Sequence, residues 1–142
     1  MIQGAALAAM LPHAGAMVLL DAAVAWDAAR LLCRTRSHLD PGNPLRRDGR
    51  LSAICGAEYG FQAAALHGAM LAGGLAQAAG YVARLRDAEC LVERLDDPAI
   101  GVMAVEAVKE HGEAGGMLYA LRLWGSAGTP LLRGRFSIAL PR

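Results

Sequence analysis

At 142 residues, with no linker or shift in composition along its length, the chain is read as a single domain (1–142) long enough to bury a real core. Its residues are 55% hydrophobic and 19% charged, an ordered globular composition in which Ala, Leu, Val and Gly carry the packing more than aromatic rings do. A net charge of +1, with no Lys/Arg run longer than two residues, gives nucleic acid nothing to be steered by and excludes it as a partner.

Two further classes fall away. Cys33, Cys55 and Cys90 are odd in number and lack C-x-x-C spacing. That argues against a disulfide framework and a zinc site, and for reduced, largely buried thiols in a cytoplasmic protein. The opening MIQGAALAAMLPH has no basic n-region and no signal-type apolar core with a cleavage site, so secretion is not expected. The apolar run from Leu51 to Ala83 is interrupted by Glu58, Gln62, His67, Gln77 and the Gly73-Gly74 break, which argues against a membrane span.

In chain order, Gln3 to Leu11 is predicted as a short helix stopped by Pro12. Met17 to Trp26 and Arg30 to Ser37 read as strands joined by the Asp27-Ala28-Ala29 turn. His38 to Arg50, HLDPGNPLRRDGR, is the longest polar stretch and is punctuated by Pro and Gly. A loop of that length in a small domain is often functional. Leu51 to about Met70 reads as a buried Ala-rich helix, with Ser52 or Asp48 as its cap. Strands are expected over Ala79–Arg94, Gly101–Glu110, Met117–Gly125 and Leu131–Leu140, forming a four-stranded meander. The result is an α+β domain in which one sheet wraps one helix. So small a sheet cannot cover the helix entirely, and a dimer is inferred.

Glu58 is the only formally charged side chain between Arg50 and Arg84. An acid in such apolar surroundings suits a perturbed, proton-donating carboxyl, and Gln62, one turn on, is placed to orient it. A buried ion pair with Arg34, Arg36 or Arg84 is the structural alternative. Gly56, with Ala53, Gly60, Ala63 and Ala64, makes a small-residue face that leaves room for an acyl chain or serves tight packing. Arg46, Arg47 and Arg50 form a basic loop, either a binding patch or a solvated one. His67 reads as a cap or interface residue, and His111 falls in a turn. The four histidines show no metal-ligand spacing.

Taken together, these segments resemble the hotdog-fold 3-hydroxyacyl-ACP dehydratases, in which a curved antiparallel sheet wraps a long central helix. The resemblance is carried by Leu11-Pro12-His13 followed by Met17 to Leu20 and Asp21, and by Glu58 with Gln62 four residues later. HLDPGNPLRRDGRL, GAEYGFQAAALHGAML and VERLDD are most similar to the predicted hotdog dehydratases of aryl-polyene-type biosynthetic clusters. The resemblance implies a cytoplasmic protein acting on acyl-carrier-protein or CoA thioesters in fatty-acid or polyene-type synthesis. It implies a homodimer or a heterodimer with another hotdog subunit, and no metal or nucleotide cofactor.

By the same resemblance Glu58 is the acid, Gln62 supports it, and Arg46, Arg47 and Gly56 face the substrate and its carrier. His13 matches a position that frames the structure. The family's catalytic His lies in a compact His-Phe-Pro-Gly motif that this chain lacks. His38 opens His-Leu-Asp-Pro-Gly, one residue longer and twenty residues before Glu58; an ungapped alignment puts the family's His on Pro44. His38 is therefore the candidate base by a longer loop, with a solvated loop histidine as the alternative. The alternatives on the same fold are a non-catalytic partner subunit and a thioesterase.

Overall fold

The computed structural model describes residues 1–74, 81–113 and 116–139. A seven-stranded antiparallel sheet carries one long helix, α2 (Gly56–Leu71). The strands are β1 (Ile2–Gln3), β2 (Ala22–Trp26), β3 (Arg30–Thr35), β4 (Tyr81–Cys90), β5 (Met103–Glu113), β6 (Gly116–Trp124) and β7 (Pro130–Ala139), with a short helix α1 (Gly4–Ala8) after the first. This is the hotdog arrangement expected from the sequence.

Their order across the sheet is β1-β2-β3-β5-β6-β7-β4. The last four strands are therefore not a simple meander. The chain leaves β3, runs through α2, and lays β4 at the far edge beside β7. It then returns to set β5 against β3. Period-two patterning reports which face a residue occupies, not which strand lies beside it. His111 lies in β5, not in a turn. Of the predicted boundaries, Ala79, Leu140 and the turn residues Ala114 and Gly115 lie outside the described residues, as does Gln77.

Alternation builds the core. Cys33, Val105, Leu123 and Leu132 pair in register across four strands, and all are buried. They face the side of α2 that carries Tyr59, Ala63 and Leu66. Two glycines let the helix settle on this layer. A Cβ at Gly56 would stand 2.9 Å from the tips of both Leu123 and Leu132, and one at Gly60 would stand 3.0 Å from Leu121 Cβ and Cδ2. The small-residue face is therefore filled by sheet leucines. It leaves no space for an acyl chain at Gly56, which is a packing position.

The helix has no side-chain cap. It is entered through a 3-10 turn at Ala53–Cys55, and Asp48 belongs to a tight turn further back. Polar side chains tie its flanks instead. Gln62 Oε1 accepts from the backbone N–H of Leu19 (2.7 Å) and Leu20 (3.2 Å), and its Nε2 donates to Met17 O (2.7 Å). His67 is fully buried, so it is neither a cap nor an interface residue of this chain. Its Nε2 donates to Asp27 O at 2.9 Å, and its Nδ1 accepts from Tyr119 O–H at 2.8 Å. Cys33 is buried and Cys55 half-buried, but Cys90 is exposed on the edge strand, against the expectation of buried thiols.

Gln62→Leu keeps the volume but strands two buried N–H groups and a carbonyl. The expected loss is about 3 kcal/mol, since each orphaned group costs about 1–3 kcal/mol. Urea unfolding checks it, and a loss under about 1 kcal/mol would show that the N-terminal segment is not anchored this way.

Candidate active site

Glu58 sits in the first turn of α2 and is exposed. It lies on a stripe that its own sheet covers only in part: Ile54 (47% exposed), Glu58, and half-buried Phe61 and Ala65, with the Phe61 ring edge-on to Phe136 of β7 at 4.8 Å. These positions recur at helical spacing, so they share one side. The expected burial of Glu58 is thus not supplied by this chain, because the sheet lies against the opposite side of the helix. Glu58 has no ion-pair partner among the described residues, so the pairing with Arg34, Arg36 or Arg84 is not formed there. Gln62 does not orient it either, because the Gln62 amide is committed to Met17, Leu19 and Leu20.

Tyr59, the next residue, points inward and is fully buried. Its hydroxyl accepts from Asn43 Nδ2 at 3.0 Å and lies 2.8 Å from Ser37 Oγ. Ser37 in turn donates to Leu19 O at 2.6 Å. A directional chain of donors therefore runs from Asn43 through Tyr59 and Ser37 to the backbone. Burial pushes the Tyr59 phenol up, and the bonds from Ser37 and Asn43 oppose that shift. Sequence reasoning missed this cluster. Its one visible signal was a lone Tyr in an Ala-rich helix, where a buried hydroxyl needs a partner.

The cluster fixes the turn that carries His38 (Ser37–Leu39). His38 is fully buried, not a solvated loop residue, and its Nε2 lies 2.8 Å from Gly101 O. A carbonyl only accepts, so Nε2 holds the proton and Nδ1 carries the lone pair. That Nδ1 is buried and has no hydrogen-bond partner. Burial lowers the His38 pKa from its ordinary 6.5, against the opposing pull of the Gly101 bond and of Asp21. The ring is a neutral imidazole with a free lone pair, the form a general base takes. Its neighbours Ser37 and Leu39, with Val18, Asp21 and Asn43, line an open depression of about 530 Å³; His38 is not part of that lining. No hydrogen bond or ion pair joins His38 to Glu58 among the described residues.

The basic loop divides. Arg46 turns inward, with Nη1 3.9 Å from Asp96 Oδ2 and Nη2 3.5 Å from Leu39 O. Arg47 stays exposed. Asp96 also accepts from Leu51 N–H at 3.1 Å, which pins the approach to α2, and the Arg94 guanidinium holds its carboxyl well below the usual carboxylate range. Cys55 lies between loop and helix. Burial pushes its thiol up, the Glu58 charge adds to that, and the Arg47 charge opposes it. Among the described residues no three His, Cys, Asp or Glu converge as metal ligands would, and no helix is long and apolar enough to cross a membrane.

A helix wrapped by a curved sheet, with a lone outward carboxyl and a buried histidine before it, can be set beside known proteins. The family model described as ApeP dehydratase matches residues 5–142. The chain belongs to the ApeP-like family. Among solved structures it is similar to a chain of the dehydratase heterocomplex ApeI:P from Xenorhabdus doucetiae (TM-score 0.81, 19% identity, 96% of this chain and 91% of that one). It is also similar to AziG of S. sahachiroi (0.64, 14%, 89% and 93%). A hypothetical thioesterase with coenzyme A from Streptococcus pneumoniae TIGR4 gives 0.61 and 12%, with 84% of each chain covered. At these identities the structures show the shared hotdog fold. No curated protein matches the sequence.

His38 sets a pH dependence. Its proton affinity is lower folded than unfolded, so its contribution to stability is complete above about pH 6.5 and is lost as pH falls toward the lowered value. His38→Gln should flatten the fall in stability below about pH 6.5, by up to about 1.4 kcal/mol per pH unit. Denaturant midpoints across that range check it, and parallel profiles would mean that His38 titrates normally.

Proposed function

We propose that this protein is a subunit of a cytoplasmic 3-hydroxyacyl-thioester dehydratase, acting on carrier-bound chains in polyene- or fatty-acid-type synthesis. In this reading its site is completed by a second hotdog chain. The observation that carries it is the isolation of Glu58. One carboxyl stands on an otherwise apolar, outward helix face that this chain leaves partly uncovered. Covering that face with a partner would take the carboxyl out of water, and burial disfavours the ionised form of any carboxyl. A neutral acid facing the thioester can give up a proton.

The chemistry then balances. A base takes the proton on the carbon next to the thioester carbonyl. The electrons of that C–H bond form the carbon–carbon double bond, the C–O bond at the third carbon breaks, and Glu58 protonates the departing hydroxyl as water. Base and acid end one proton up and one proton down, and a proton exchange resets them. His38 is this chain's candidate base, through the uncommitted Nδ1. Likeness to a chain of a two-subunit dehydratase supports a heterodimer.

The burial of His38 favours a second reading, in which the chain supplies structure to an active partner and no chemistry of its own. Glu58→Gln, assayed in the complex with its cognate hotdog subunit, separates the two. Loss of an acid should lower kcat by about 10²- to 10⁴-fold with KM little changed. An unaltered kcat would leave the partner-subunit reading. Release of free thiol, instead of formation of an enoyl thioester, would point to thioester hydrolysis.

A further inference from the structure

The loop that carries His38 and the helix that carries Glu58 are separate pieces of chain, and one side chain ties them together. Among the described residues, Tyr59 is the only residue of α2 that hydrogen-bonds residues 36–50. Both bonds land beside His38. One is to Ser37, which precedes it, and the other is to Asn43, whose amide also donates to Ser37 O at 2.9 Å. On the helix, Tyr59 directly follows Glu58. The candidate acid and the candidate base are therefore each one residue away from the two ends of the Tyr59–Ser37 bond.

Ser37 is held at every polar atom. Its N–H donates to Thr35 Oγ1 at 3.0 Å, and its carbonyl accepts from Asn43 Nδ2 and, at 3.1 Å, from Asp40 N–H. Its hydroxyl takes the Tyr59 proton and donates to Leu19 O. Leu19 is gripped by the same side of α2, because its N–H donates to Gln62, three residues on from Tyr59. Helix, loop and the segment before β2 thus close on one buried point. His38 has far less of its own. Its ring makes a single hydrogen bond, to Gly101 O. Where the ring stands is set by the backbone of its turn, and that backbone is set at Ser37.

A phenylalanine would fill the Tyr59 space and ask for no partner. A buried hydroxyl is costly unless it is hydrogen-bonded, and this one is satisfied by the His38 loop alone. Fully satisfied buried networks rigidify the chain around them and specify one arrangement. For a reacting group that matters, because a displacement of about 1 Å can cost about 100-fold in rate.

We infer that Tyr59 is a positioning residue: its hydroxyl, acting through Ser37 and Asn43, holds the His38 turn at a fixed place relative to the first turn of α2. This rests on the dehydratase reading above and adds to it the group that sets where the base stands. In this role Tyr59 touches no reacting atom.

The test has two readouts, both taken in the complex with the cognate hotdog subunit. The first is hydrogen exchange at the Leu39 and Asp40 amides, which close the turn on Arg36 O and Ser37 O. Tyr59→Phe should speed that exchange about tenfold, as loss of one buried hydrogen bond does. The second is a double-mutant cycle on dehydration. Tyr59→Phe alone should lower kcat about 10- to 100-fold with KM little changed, and in the His38→Gln background it should lower kcat no further. Ser37→Ala breaks the same link from the loop side and should reproduce both effects, which carries the test if Tyr59→Phe does not fold. Unchanged exchange overturns the inference whatever the activity. So does a kcat that falls with His38→Gln but not with Tyr59→Phe, and so do two losses that multiply. Faster exchange with a kcat indifferent to His38→Gln would overturn the catalytic reading of His38 and leave the tie standing.

Discussion

The contact that the rest of the structure depends on is the bare side of α2 against the sheet. Without side chains at Gly56 and Gly60, the helix comes down onto Leu121, Leu123 and Leu132 with almost no space between. Every polar tie then falls within reach. Tyr59 meets Ser37 and Asn43, Gln62 meets the backbone of residues 17–20, and His67 meets Tyr119 and Asp27. The close approach also decides what the helix shows outward. Its glycine side is spent on the sheet, so the opposite stripe from Ile54 through Glu58 to Ala65 is left partly open.

Among the described residues three buried side-chain nitrogens have no hydrogen-bond partner, His13 Nδ1, Arg46 Nε and His38 Nδ1, and the last is the informative one. Tyr59, Gln62 and His67 each use their hydrogen-bonding groups on partners that fix one geometry, as buried polar groups must. His38 is built to the same standard on one side of its ring only. The Gly101 carbonyl fixes the tautomer, and Nδ1 is left without a partner. An unmade buried hydrogen bond carries a cost of about 1–3 kcal/mol that a purely structural histidine would normally avoid. Asn, Tyr and Ser side chains hold the turn around it in place, so the ring cannot easily turn to find a partner.

Much of the fold was legible because it rests on periodicity. The alternation in MLYALRLW and LRGRFSIAL marked the inward rows, and an Ala-rich run marked the helix. The crossing of β4 to the far edge was not legible, because neighbour choice depends on where the helix delivers the chain. At the site, the sequence singled out Glu58 and His38, but their surroundings are the reverse of what their neighbours in sequence suggest. Glu58 looked buried because its neighbours in sequence are apolar, yet those neighbours lie on other sides of the helix. His38 looked solvated because it opens a polar loop, yet its ring turns into the core toward Gly101, sixty-three residues away. Gln62 shares a helical spacing with Glu58, and spacing alone could not reveal that the Met17–Leu20 backbone claims its amide.

That inversion bears on how a hotdog chain of this kind works. A carboxyl that its own sheet buried against the core would be shielded from substrate as well as from water. Leaving it on an apolar, partly open stripe keeps it reachable and lets its surroundings be supplied by whatever covers the stripe. Ile54, Phe61 and Ala65 provide the area that makes covering favourable, at roughly 25 cal/mol per Å² of apolar surface removed from water. Glu58 works against that gain unless it meets a proton, a cation or a hydrogen-bond donor. The same surface therefore favours association and restricts the partner to one that answers a single carboxyl. On the reading proposed above, assembly and the making of the acid are one event, and a chain alone would hold the carboxyl without the surroundings that make it a proton donor.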